Sequence, residues 1–193
     1  MKEEPRIGYA LCGSYCTFSR SVNALERLCS EYKDVTPIMS ENAYSTDTRF
    51  GKASDFIKKI EGICGRQIIH TIAQAEPIGP RATLDLLIIA PCTGNTLSKL
   101  AFGITDSSVT MAAKAHMRNG RPVLIAVATN DGLSGSAPAI GRLLGRKNIF
   151  FVPFYQDSPQ DKPTSLVARF EMIKEAAAAA LRGVQLQPLL TAL

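Results

Sequence analysis

Leu84 to Asp106 reads LDLLIIAPCTGNTLSKLAFGITD, and this stretch decides the fold class. Leu86 to Pro91 is an apolar run of strand length, as expected for a strand buried on both faces. A polar turn follows at Cys92-Thr93-Gly94-Asn95-Thr96, and helical spacing begins at Leu97, Leu100 and Ala101. Open α/β sheets build ligand sites this way. The crevice lies beyond the carboxyl ends of the strands, and the first amides of the helix, which lack intrahelical partners, point into it. A plain strand-to-helix connection would show the same hydrophobic pattern. It would have no need of a hydroxyl and a side-chain amide together in the turn.

Outward from that stretch, strands and helices alternate. Arg6 to Cys12 reads as a strand, followed by a helix striped by Phe18, Val22, Leu25, Leu28, Cys29 and Tyr32. Asp34 to Met39 is a second strand, Asn42 to Gly51 a polar loop, and Phe56 to Cys64 a helix stopped by Gly65. Gln67 to Ile72 reads as a short strand, and the prolines and glycine of Glu76 to Pro80 as a loop. Downstream come a helix at Ser107 to Asn119, a strand at Pro122 to Ala128 and a helix at Ser136 to Arg146. A strand at Asn148 to Val152, a proline-rich linker at Pro153 to Pro163 and a helix at Ser165 to Arg182 complete the pattern. The alternation predicts a three-layer, Rossmann-like α/β fold with a mostly parallel sheet covered on both faces. Residues 1–182 form one domain in this reading, and 183–193 a patternless tail.

Composition narrows the function classes. The chain has 193 residues, 46% hydrophobic and 20% charged, which suits one domain with a sizeable core. The net charge is +5, but the basic residues are scattered, and their densest group is only Arg142, Arg146 and Lys147. No basic run is interleaved with aromatics, so nucleic acid is not an expected partner; the charge reads first as a solvated surface and next as suited to anionic small molecules. The cysteines stand at 12, 16, 29, 64 and 92 without a CxxC pair, and there are only two histidines. Neither a zinc site nor a disulfide framework is expected, which indicates a reducing compartment. No apolar run approaches the ~18 residues that span a bilayer, and no signal peptide is recognisable, so a soluble cytoplasmic protein is expected.

The turns after Arg6–Cys12, Asp34–Met39, Leu86–Pro91 and Pro122–Ala128 would share one sheet edge. They carry Gly13-Ser14, Ser40-Glu41, Cys92 to Thr96 and Thr129-Asn130. Hydroxyls and backbone amides near helix starts suit a phosphate and the polar edge of a nucleotide. The GxGxxG fingerprint is absent: Gly8 and Gly13 are present, but Ala10 stands where the second glycine belongs. A mononucleotide such as FMN needs fewer glycines, because only one phosphate is approached.

These residues carry a resemblance. Pro91-Cys92-Thr93-Gly94-Asn95-Thr96 is similar to the Pro-Ala-Ser-Ala-Asn-Thr motif of the flavoprotein family that includes the flavin-containing cysteine decarboxylases. Ser40 matches a Ser or Thr after the second strand that contacts the FMN phosphate in that family. Ile38 to Ala53, Ala75 to Pro80, Ile89 to Asp106, Met111 to Asn119 and Lys147 to Pro159 more closely resemble the family of dipicolinate synthase B subunits. The resemblance covers the chain to about Leu190. It implies FMN held by Gly13, Ser14, Ser40, Pro91, Cys92, Thr93, Gly94, Asn95, Thr96, Thr129 and Asn130. It also implies formation of pyridine-2,6-dicarboxylate from a hydroxylated tetrahydropyridine dicarboxylate during sporulation. The partner would be a dehydrogenase-like A subunit carrying NADP, and the place the mother-cell cytoplasm. A homo-oligomer, trimer or dodecamer, would follow from the relatives, and the small residues Ala112, Ala113 and Ala115 would permit close helix contact. Arg49 and Asp106 are candidates for substrate contact, a dicarboxylate needing cationic or amide partners.

The decarboxylases' catalytic His, in a His-Ile pair fourteen residues before the motif proline, is not matched: Pro77-Ile78 stands there. His70 lies in an apolar strand, expected to be buried, and reads as structural or peripheral, and Val127-Ala128-Thr129-Asn130-Asp131 keeps an Asn but loses the Met of the decarboxylases' Pro-x-Met-Asn segment. Cys92 at a helix start reads as a small packing residue rather than a nucleophile, His116 as a core or subunit-contact residue, and Asp106 equally as a helix cap. Three functions stay open on the sequence: a redox subunit using FMN, a non-catalytic scaffold that activates the A subunit, and an independent FMN decarboxylase.

Overall fold

The computed structural model describes residues 4–192. In chain order the elements are β1 (Ile7–Leu11), α1 (Phe18–Cys29), β2 (Val35–Met39), α2 (Glu41–Ser45), α3 (Ala53–Cys64) and α4 (Ile72–Ala75). β3 (Leu86–Cys92), α5 (Gly94–Phe102), α6 (Ser108–Met117), β4 (Val123–Thr129) and α7 (Ala137–Leu144) follow. The last are β5 (Ile149–Phe151), β6 (Phe154–Tyr155), β7 (Leu166–Ala168) and α8 (Ile173–Leu181).

β1 runs parallel between β2 and β3, β3 pairs in parallel with β4, and β4 in parallel with β5. The first half of β4, Val123 to Ile125, pairs with β5, while Ala128 and Thr129 at its end pair antiparallel with β7. β1 and β3 are buried along their whole length, as the continuous apolar runs require. α1, α3 and α8 pack together as one layer, and α4, α5, α6 and α7 as the other. The three-layer α/β arrangement expected from the sequence is the one observed. Among the described residues no helix is long and apolar enough to cross a membrane.

Four expectations are corrected. The Asn42 to Gly51 loop is helical at its start, because Ser40 caps α2 by accepting from the Ala43 amide at 3.3 Å. The Gln67 to Ile72 strand reduces to one bridge between Ile69 and Ile38, since Thr71 and Gln74 form a capping box that starts α4. The linker after Pro153 opens with β6, and the expected helix from Ser165 opens with β7, whose consecutive apolar residues Leu166, Val167 and Ala168 are all buried. α8 therefore begins only at Ile173. The tail is also tied down. The Gln185 side chain accepts from the Phe151 amide at 2.8 Å and donates to the Phe151 carbonyl at 2.7 Å, and Leu190 bridges Phe154. These contacts occupy backbone groups that would otherwise form an open sheet edge.

A buried polar knot holds α1 against the sheet. The Tyr9 hydroxyl donates to the Ser21 carbonyl at 2.9 Å, and the Ser21 hydroxyl donates to the Ala90 carbonyl at 2.5 Å. Ala90 lies where the β3–β4 register shifts, between Ile89 and Cys92. Burial pushes the Tyr9 phenol far above its ordinary pKa, so it stays a neutral donor. Ser21→Ala removes the donor to the Ala90 carbonyl and should cost about 1–3 kcal/mol. A fall in Tm of several degrees in circular dichroism melts is expected; an unchanged Tm would show that the hydroxyl is dispensable.

Candidate functional site

β2 and β3 flank β1 on opposite sides, so the chain reverses its direction of travel across the sheet at β1. The loops after β1 and β3 consequently leave to opposite helix layers and open a crevice between them. A cavity of about 700 Å³ lies there, within the ~300–1,000 Å³ range of small-molecule sites. One wall comes from the sheet edge: Gly13 and Ser14 after β1, Thr93, Gly94 and Asn95 after β3, and Thr129 and Asn130 after β4. The rest of the lining comes from loops and includes Arg49, Phe50, Asp157 and Lys162, with Ser165 joined to the sheet edge through the Thr129 carbonyl.

The expected turn at Cys92 to Thr96 is shorter than its sequence suggested. β3 runs through Cys92, and Thr93 is the N-cap of α5, its hydroxyl accepting from the Thr96 amide at 3.2 Å. Gly94, Asn95 and Thr96 are therefore the first turn of α5. Thr96 turns inward, and its hydroxyl meets the Cys12 sulfur at 3.3 Å. Asn95 is exposed to the cavity, and among the described residues no protein group bonds its amide. Ser14 is pinned by Thr17, whose hydroxyl reaches the Ser14 carbonyl at 3.0 Å and the Ser14 hydroxyl at 3.3 Å.

A second knot shapes the far end of the sheet wall. The Asp131 carboxylate accepts from the hydroxyls of Thr129 and Ser136, and these bonds hold its pKa below the usual carboxylate range. Gly94 lies against this group. A Cβ there would collide with the Ser136 hydroxyl and stand 2.7 Å from Thr129 Oγ1 and 2.8 Å from Asp131 Oδ1. The loop wall is latched to the same region: Thr164 donates to the Asn130 carbonyl at 2.7 Å, and the Leu133 amide to the Thr164 carbonyl at 2.9 Å.

The structure brings together Gly13, Ser14, Thr93, Gly94, Asn95, Thr129, Asn130 and Arg49 around one cavity. It places Ser40, Pro91, Cys92, Thr96 and Asp106 outside the lining. Ser40 spends its hydroxyl as the α2 cap. Pro91 and Cys92 are the buried end of β3. Asp106 pairs with Lys99 at 2.9 Å, which lowers its pKa, and Ser107 rather than Asp106 caps α6. Burial pushes the Cys92 thiol well up, and Cys12 up to about 11 despite the Thr96 hydrogen bond, so both thiols are neutral at pH 7. His70 is half-buried rather than in a buried strand, its ring stacked on Tyr44 at 3.8 Å between centroids. His116 is a core residue, 1% exposed, with Nε2 2.8 Å from the Pro122 carbonyl. Sequence reading missed Arg20, Asp131, Asp157, Lys162 and Ser165. Asp131 sat in the recognised Thr129-Asn130-Asp131-Gly132 turn, whereas Asp157 and Lys162 were hidden in the supposed linker. Among the described residues no group of His, Cys, Asp and Glu is arranged to hold a metal.

A model of the flavoprotein family matches residues 1–137. The dipicolinate synthase B subunit of Bacillus subtilis (strain 168) is 46% identical over 185 residues, 96% of this chain and 92% of that protein. The chain belongs to the flavoprotein family. The crystal structure of the dipicolinate synthase B subunit from Bacillus halodurans C superposes with a TM-score of 0.89 at 46% identity, covering 97% of this chain and 96% of that one. An FMN-dependent cysteine decarboxylase, SpaF, shares the fold with a TM-score of 0.68 at 20% identity, covering 93% and 96% of the two chains.

Within this flavoprotein-family site, Gly94 stands where the decarboxylase motif has alanine, and the Thr129–Asp131–Ser136 knot explains the difference. Gly94→Ala should overpack the wall at a cost of about 1–3 kcal/mol. Adding Ser136→Ala removes the nearest atom and should recover part of the loss, as read by thermal melts of the single and double variants. A Gly94→Ala protein as stable as the parent would remove the steric account.

Proposed function

We propose that the chain binds FMN and is the B subunit of a dipicolinate synthase, acting with a dehydrogenase-like A subunit. One observation carries the reading: in a chain 46% identical to a B subunit, a cavity opens at the β1/β3 crossover between hydroxyl and amide turns. The donor set fits a flavin mononucleotide. The Ser14 hydroxyl suits the phosphate, and the side-chain amides of Asn95 and Asn130, which among the described residues have no protein partner, suit the polar edge of the ring. The absent GxGxxG spacing argues against a dinucleotide.

The substrate is a hydroxylated tetrahydropyridine dicarboxylate that must lose water and two hydrogen equivalents to become aromatic. Bound flavin would supply a hydride acceptor, and NADP would belong to the A subunit. Asn95 orients the reacting ring by hydrogen bonds from its side chain. Arg49, exposed on the loop wall and lying over the Phe50 ring at 4.9 Å, meets a carboxylate. Neither buried thiol serves as a nucleophile, since each is neutral and enclosed. The reaction takes place in the mother-cell cytoplasm of a sporulating bacterium. The working form is a homo-oligomer, a trimer or dodecamer. Its contact surface is not the α6 alanines, because Ala112, Ala113 and Ala115 are buried within the protomer. Phe102, 65% exposed beneath the Arg142 guanidinium at 4.9 Å, and Ile104, 48% exposed, are exposed apolar side chains available for that contact.

The decisive experiment assays dipicolinate by its ultraviolet absorbance with each of the two proteins alone and with both. Product only from the pair, with flavin absorbance in this chain, supports the proposal. A colourless chain that still activates its partner would replace it with a scaffold role, and product from the partner alone would sink it. Two substitutions sharpen the assignment. Ser14→Asp sets a negative charge against the phosphate and should abolish flavin binding. Asn95→Ala should cut the rate of the complete enzyme about tenfold, one well-placed polar contact being worth about 1–3 kcal/mol. A folded Asn95→Ala protein with normal rate would refute the role given to its amide.

A further inference from the structure

Among the described residues, two enclosed side-chain atoms lack a hydrogen-bond partner: His116 Nδ1 and Asp157 Oδ1. His116 sits near Pro122, at the amino end of β4 and away from the cavity. Asp157 is different, because it lines the cavity. Its other oxygen, Oδ2, lies 3.5 Å from Lys162 Nζ, and the two side chains are 25% and 60% exposed. Asp131, the other carboxylate of the cavity, has its Oδ1 occupied by two hydroxyls. Of the three cations, Arg20 is engaged with Glu171 at 3.7 Å and lies over the Phe170 ring at 5.2 Å. Lys162 is held by a long, half-exposed pair, a weak contact that a ligand carboxylate displaces readily. A carboxylate oxygen enclosed without a donor is a costly arrangement that calls for a partner. The broad, two-fold torsion of an Asp carboxylate lets either oxygen turn toward the cavity.

We infer that Asp157 and Lys162 form a substrate-reading pair: Lys162 holds a ligand carboxylate, and Asp157 accepts from a hydroxyl or ring N–H on the same ligand. The inference rests on the dicarboxylate reading above and adds a direction to it. The hydroxylated precursor presents a donor to Asp157. The aromatic product has lost that hydroxyl with the departing water and offers only carboxylate oxygens and a bare ring nitrogen, all acceptors. A carboxylate facing acceptors repels them, so Asp157 favours the precursor over the product and assists release. Such discrimination is large, because a mismatched polar group leaves a buried partner unpaired.

The test uses the full-length flavin-loaded protein and two stable probes, pyridine-2,6-dicarboxylate and its 4-hydroxy derivative, titrated by calorimetry. The parent should prefer the hydroxy compound by about tenfold, one charge-assisted hydrogen bond. Asp157→Asn, which both donates and accepts, should bring the two affinities to within about twofold, mainly by improving the plain dicarboxylate. Lys162→Gln should weaken both probes without changing their ratio. Flavin affinity, titrated separately, should be the same in all three proteins. An Asp157→Asn protein that keeps the parent's ratio, or a parent with no preference, overturns the inference while leaving the dicarboxylate reading in place. A flavin-loaded parent that binds neither probe overturns both.

Discussion

Everything at the site follows from the crossover at β1. The chain places β2 on one side of β1 and, after α2, α3, a bridge and α4, returns to place β3 on the other. A right-handed parallel connection on each side sends α1 and α5 to opposite layers, so the turns after β1 and β3 separate instead of packing together. The gap cannot be filled by either helix, since each starts at the strand end and runs back over the sheet. What is left at the opening is backbone at the ends of strands and starts of helices. These are the places where amides lack partners, and small hydroxyl residues occupy them because they can cap a helix and still offer polarity to a ligand.

Holding that gap open requires the two layers to be fixed independently of any ligand. On one side the Tyr9–Ser21–Ala90 knot spans α1, β1 and β3 in a fully buried setting. At the far end of the sheet Arg6 and Arg121 converge on Asp85, at 3.0 and 2.9 Å, and Arg6 holds that carboxyl below its usual range. Asp85 precedes β3 and Arg121 precedes β4, so this pairing sets the strand registers from below, where no ligand is proposed. On the cavity side the corresponding cluster is looser, with Arg20 and Arg169 each 3.7 Å from Glu171. The rigidity of that side comes from neutral hydroxyls on Asp131 and from the close approach of Gly94, which leaves the charged loop wall free to answer a ligand.

The two walls were not equally legible in the sequence. Gly13, Ser14, Thr93, Asn95, Thr129 and Asn130 follow continuous apolar runs, and a buried parallel strand announces its own carboxyl end. The same rule overreached at Ser40, Cys92 and Thr96. Adjacency to a strand end does not say whether a polar group faces outward or caps a helix, and helix capping took Ser40. The loop wall was invisible for a different reason. Phe154-Tyr155 and Leu166 to Ala168 are too short to show a period, and their pairing is with distant partners, so tertiary contact rather than local pattern makes them strands. Prolines at 153, 159 and 163 made the region look like a spacer. Asp157 and Lys162 could not be placed until β6 and β7 were known to bring their loop back to the end of β4.

This asymmetry bears on how the site divides its work. The sheet wall offers oriented dipoles and no net charge apart from the occupied Asp131, a surface suited to the proposed cofactor whatever its ionisation. The loop wall offers both signs within one pair, Asp157 and Lys162, lining the same cavity. For the reaction proposed, a wall of cations alone would bind precursor and product dicarboxylates alike, because making the ring aromatic leaves both carboxylates untouched. Discrimination must therefore come from groups that sense the ring's hydrogen-bond donors, and those are what dehydration and dehydrogenation remove. An acceptor beside a cation is the smallest device that retains the one and rejects the other. The pair itself contributes little to the fold, and the donor that the enclosed Asp157 oxygen lacks is what such a ligand supplies.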